Sequence, residues 1–80
     1  MLKNQDVLRE VLSRRDPSGY YVLISVKNNE AEKVVLEFKE KSGVIVEDYG
    51  GSIIIRCKSR SIAESIARKL LARNLLVFEK

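Results

Sequence analysis

The apolar residues of this chain change period along its length, and each change marks an element. From Asn4 to Arg14, Val7, Leu8, Val11 and Leu12 recur at i, i+1, i+4 and i+5, the single stripe of an amphipathic helix. Asn4 offers a cap for its start. Asp16-Pro17-Ser18-Gly19 stops it, since proline disfavours a helical residue before it and the other three supply turn chemistry. Tyr20 to Lys27 is an aromatic and β-branched run that predicts a strand. Asn28 and Asn29 can cap a second helix reaching about Lys41, with Ala31, Val34, Val35 and Phe38 on its buried face and Gly43 as the residue just past its end.

The next segment carries the sharpest pattern. Val44 to Tyr49 and Ser52 to Lys58 flank Gly50-Gly51, which predicts a hairpin closed by a two-residue primed turn. Paired residues then sum to 101 and share a sheet face. Val44, Val46, Ile53, Ile55 and Cys57, with Asp48 at the rim, form a core face. Ile45, Glu47, Tyr49, Ser52, Ile54, Arg56 and Lys58 form a mixed one. A slip of one residue would bury Arg56, so the register is well specified. Ser61-Ile62-Ala63-Glu64 has the capping-box spacing and opens a helix with Ile62, Ala63, Ile66, Ala67 and Leu70 on one face. Asn74 ends that helix, and Leu75 to Phe78 is the last strand.

The order after the first helix is β-α-β-β-α-β. It predicts an α+β fold of ferredoxin-like type: an antiparallel sheet of order 4-1-3-2 with two helices on one face and the other face open. Residues 1–80 form one domain, with 1–19 as the added helix and turn and 20–80 as the βαββαβ unit. On the first strand, Val22, Ile24 and Val26 are assigned to the helix side. Tyr21 and Leu23 then face outward beside Ile45, Ile54 and Arg56. The open face and the stripe of the N-terminal helix each need a cover, and the simplest expectation is that they cover each other.

Composition narrows the chemistry. The 80 residues hold one cysteine and no histidine. An internal disulfide, a zinc site and a Cys-His or Ser-His-Asp nucleophile are therefore excluded within one chain. No phosphate loop of the Gly-rich kind occurs. Glu47 and Asp48 alternate across a strand, so they cannot cooperate as acid and base, and Glu47 is expected to pair with Arg56 or Lys58. Cys57 shares the core face and reads as a buried structural thiol. No catalytic residue, metal or cofactor is assigned, and the chain is expected not to be an enzyme. No apolar run reaches membrane-spanning length, and the charged N-terminus is no signal peptide, so a cytoplasmic, soluble protein is expected. The wealth of Ile, Val, Lys, Arg and Glu follows the usage of thermophilic proteins.

The element order matches that of the RNA-recognition motif. The aromatic signature of that motif's third strand, however, has no counterpart in Gly50-Gly51-Ser52-Ile53-Ile54-Ile55-Arg56. From Ala31 to Phe78 the chain also resembles the translation initiation factor one family: a helix ending in lysines and Gly43, a hairpin at Asp48 to Gly51, a helix and a last strand. The basic loop which that family uses on the ribosome is missing here.

A net charge of +4 and a pI near 9.4 permit binding to a polyanion. The leading expectation is a small non-enzymatic nucleic-acid-binding module, for RNA or a ribonucleoprotein, acting through backbone phosphates. Arg56, Lys58 and Arg60 recur every second residue and would be the main contacts, with Arg14 and Arg15 beside them and Tyr21 and Tyr49 as stacking partners. The alternative is a protein–protein module, either a homodimer or a small subunit of a larger assembly. Its interface would be drawn from Val7, Leu8, Val11, Leu12, Leu23 and Ile54.

Overall fold

The computed structural model describes residues 4–78, with the side chains of Asn4 and Gln5 outside that description. The capping role expected of Asn4 therefore lies outside the described side chains. The elements follow in the order α1 (Asn4–Leu12), β1 (Tyr21–Val26), α2 (Asn29–Phe38), β2 (Val44–Asp48), β3 (Ser52–Cys57), α3 (Arg60–Ala72) and β4 (Leu76–Val77).

Local chemistry sets most of the boundaries. At the end of α1, the Asp16 carboxylate accepts from the backbone N–H groups of Ser18 and Tyr20, each at 2.9 Å, and Gly19 takes φ +87°. The chain reverses tightly there, and Arg15 bridges to Tyr21. The Asn28 side chain caps α2 by accepting from Ala31 N–H at 2.8 Å. That helix ends at Phe38, short of Lys41. Gly43, with φ +80°, belongs to the turn entering β2 and is not the helix stop. The third helix starts two residues before the expected capping box. Ser59 is its N-cap and accepts from Ile62 N–H. It closes on Asn74 at φ +58°, with Leu75 N–H donating to Leu70 C=O and Asn74 N–H to Leu71 C=O, the paired bonds of a Schellman ending.

The four strands form one antiparallel sheet in the order β2-β3-β1-β4, which is 4-1-3-2 read from the β4 edge. The hairpin has the expected register: Val44 pairs with Cys57, Val46 with Ile55 and Asp48 with Ile53. Tyr49 N–H donates to Ser52 C=O across a two-residue turn, and of the two turn glycines only Gly50 has positive φ, +82°. That pattern is the type II′ turn, whose first central residue needs glycine.

The first strand is turned over relative to the expectation. Tyr21, Leu23 and Ser25 are buried on the helix side, opposite Cys57, Ile55 and Ile53. Val22, Ile24 and Val26 face outward. Size complementarity accounts for the choice. The tyrosine ring lies opposite Cys57, the smallest inward side chain of β3, and small Ser25 lies opposite Ile53. Ser25 is tolerated inside because its hydroxyl donates to Val26 C=O at 2.8 Å.

The N-terminal helix also departs from the expectation. It docks against α3 and β1, so it does not cross the open face. Val7, Leu8, Val11 and Leu12 join the core formed by Leu23, Ile55, Ile66 and Leu70. Those four residues and Leu23 are spent on folding and are withdrawn as a binding interface. Three helices share the layer, with α3 between α1 and α2, and among the described residues no element covers the opposite side of the sheet.

Candidate interaction surface: the open face of the sheet

Parity along the strands builds this surface row by row. One row crosses Ile45, Arg56 and Val22, and the next crosses Glu47, Ile54, Ile24 and Val77. A third holds Ser52 and Val26. The apolar stripe spans four strands, roughly 15 Å at the usual spacing of about 4.8 Å. Ile24 is 36% exposed, Val26 43%, Ile45 43% and Val77 45%. Apart from Tyr49 and Leu36, these are the exposed large hydrophobics among the described residues. Their collection on one face is the departure from a normal surface, since scattered single ones would need no explanation.

The charges within the strands of this face are satisfied internally. The Arg56 guanidinium is ion-paired with Glu47, its cross-face neighbour, and lies 3.7 Å from Asp16 of the turn after α1. Tyr49 donates its hydroxyl to Glu47 at 3.3 Å. At the rim, Lys27 pairs with Asp48 at 2.6 Å. The Lys27 ammonium, with the Gly50 N–H, holds the Asp48 carboxyl below the ordinary carboxylate range, and Asp48 in turn raises Lys27.

The residues expected to bind nucleic acid divide between two places. Arg56 lies on the open face but is held by two carboxylates. Tyr49 is 60% exposed at the hairpin end of the same face. Tyr21 is inside and cannot stack on a base. Its ring lies under the Arg15 guanidinium, 4.6 Å from the centroid. The hydrogen bond from Arg15, aided by Arg60, holds the phenol below its ordinary pKa against the opposing effect of burial. Lys58 lies 5.2 Å over the Tyr20 ring. Arg60 does not continue the line of Arg56 and Lys58, because the chain turns into α3 at Ser59 and carries Arg60 toward Tyr21. The structure thus brings Arg15, Lys58 and Arg60 together at one end of the sheet, and none of the three forms an ion pair among the described residues. Arg14, just before them, pairs with Glu10 at 3.2 Å.

Cys57 is buried, and burial pushes its thiol up from the ordinary value. Among the described residues no cluster of His, Cys, Asp and Glu could hold a metal, and no helix is long and apolar enough to cross a membrane. Sequence reasoning found Ile45 and Ile54 but missed Ile24, Val26 and Val77. The run Tyr21–Val26 is almost wholly apolar, so it carried no alternation from which to read its faces. Comparison of the chain with protein families, with curated proteins and with solved structures finds no match.

Proposed function

We propose that this protein is a non-enzymatic protein-association module whose working surface is the open face of its sheet. The observation that supports this reading is the uncovered stripe of Ile24, Val26, Ile45 and Val77, left bare because α1 packs on the other side. The face is aliphatic and has almost no aromatic character, so it suits a complementary apolar protein surface better than stacked bases. The cation within its strands, Arg56, is neutralised by Glu47 and Asp16. The fold is read as a ferredoxin-like unit with an extra helix in its layer, supported by the element order and the sheet order.

Sedimentation velocity over a concentration series tests this, with a second copy as the partner. Ile24→Glu places a charge at the centre of the stripe without touching the core. The variant is expected to associate at least about tenfold more weakly than the unaltered protein. Equal association of the two would sink the proposal.

A second reading keeps the polyanion partner but moves its site. Arg15, Lys58 and Arg60 gather at the N-terminal end of α3, a helix with no acid in its first turn. Cations at the positive end of a helix dipole are unfavourable unless something negative joins them. Backbone phosphate of a nucleic acid is the chemistry that fits.

A further inference from the structure

The strand β2 is an edge of the sheet, and a groove of ≈ 520 Å³ runs between it and α2. Val35, Leu36, Val46 and Ile53 give the groove its apolar floor. Leu36 is 65% exposed, the highest value among the exposed large hydrophobics. Glu32 and Asp48 stand at one end and Lys39 lines the groove beyond Leu36. The chain leaves α2 at Lys39 and turns back into β2, so the acidic and basic groups mark opposite ends.

The backbone of the edge is aimed at a partner. Gly43 C=O and Tyr49 N–H bond to β3. In an antiparallel ladder every second residue does so, and Ile45 and Glu47 follow the same parity. Val44, Val46 and Asp48 therefore direct their backbone groups away from β3. Val44 N–H is occupied by Lys41 C=O at 3.3 Å, which leaves Val46 as the first residue with both groups free for an added strand. The acids that would blunt this edge are engaged elsewhere, Glu47 by Arg56 and Asp48 by Lys27.

We infer that this edge pairs with β2 of a second copy, antiparallel about Val46, so that the two sheets run on as one. A strand added here shares the pleat, so the residue facing Val46 points its side chain into the groove. The charges select a second copy as that strand. Lys27 balances Asp48 and leaves Glu32 as the net charge at one end, with Lys39 toward the other. A two-fold axis through Val46 reverses the partner, so Glu32 of each copy meets the Lys39 end of the other. The groove is complementary to itself, as an isologous contact requires. This inference rests on the association reading above, names its partner, and adds an edge contact that the open face does not supply.

The test measures sedimentation of the full chain carrying Ile24→Glu, so that association through the open face is silenced. Glu32→Lys and Lys39→Glu are each expected to raise the dimer dissociation constant by about tenfold or more, and the double variant to restore it. Val46→Pro is expected to abolish the dimer while keeping the fold, verified by far-UV circular dichroism, because the Val46 N–H serves no bond to β3. Dimers indifferent to all of these changes, or a chain that stays monomeric in the Ile24→Glu background, would overturn the edge pairing. Loss of the open-face reading shows separately, as Ile24→Glu failing to weaken association of the otherwise unaltered protein.

Discussion

Leu23 and Ile24 are neighbours in sequence and chemically near-identical, yet the sheet sends them to opposite environments. Leu23 is fully buried opposite Ile55, whereas Ile24 is 36% exposed. Truncating a buried leucine removes its transfer free energy and leaves a cavity, so Leu23→Ala should cost about 2–5 kcal/mol. Ile24→Ala loses only part of that burial and should cost about 1 kcal/mol or less. Urea denaturation of the two variants measures the difference. A reversed order of costs would mean that β1 has the other face inward. Tyr21 shows the same logic with a polar tip. Its ring fills the space opposite Cys57, and its phenol meets Arg15, so a large polar side chain is satisfied inside a small core.

At the scale of elements, the hairpin carries a switchable contact. Lys27, just past β1, reaches Asp48 at the end of β2 and ties the two strands across β3. The folded Asp48 is held below its ordinary value of 3.8 by Lys27 first and then by the Gly50 N–H. The unfolded chain therefore takes up a proton at higher pH than the folded one. The contribution is full above about pH 4 and is lost as pH falls through the depressed folded value. Lys27 is raised above 10.5 mainly by the same partner, so its share is full below that value and fades as pH rises through the raised one. Denaturation midpoints followed against pH should thus fall on the acid side, and Asp48→Asn should flatten that fall. Part of the slope will remain, because Lys69 likewise holds Glu37 below its ordinary range. An acid limb unchanged by Asp48→Asn would show that the pair contributes nothing to folding.

For the whole molecule, the asymmetry is between a clothed and a bare side of one sheet. Three helices crowd one face, while the other shows aliphatic side chains and neutralised charges. Among the described residues, the cluster of Arg15, Lys58 and Arg60, none of them ion-paired, lies at the end where β1 begins and α3 starts, and this placement yields a prediction about polyanions. Arg60→Glu supplies the acid that the first turn of α3 lacks, so it should leave the fold intact or firmer while weakening contact with phosphates. Fluorescence anisotropy of labelled RNA at about 50 mM and about 200 mM salt would show it, as weaker binding and a shallower salt dependence for Arg60→Glu. Absence of RNA binding at the lower salt would reduce Arg15, Lys58 and Arg60 to a solubilising cluster.

The chain's own pattern determined whatever depended on local chemistry. The hairpin register was legible because alternation on both strands and a two-residue glycine turn allow one pairing that spares Arg56 from burial. The caps at Asn28 and Asn74 and the buried stripes of α2 and α3 were legible for the same kind of reason. The start of α3 was displaced by two residues because Ser59 and Ser61 offer the same cap chemistry, and only the path of the chain out of β3 chose between them. What the tertiary structure alone decided was the facing of β1 and the seat of α1. Tyr21–Val26 is apolar on both faces, and its one polar residue, Ser25, pointed to the wrong one. The choice fell to the space opposite Cys57, on a strand more than thirty residues away in sequence. The stripe of α1 could have covered either side of the sheet. It went to the side where α3 and β1 offered a surface, and the exposed face that results is a property of the packed molecule that no single segment encodes.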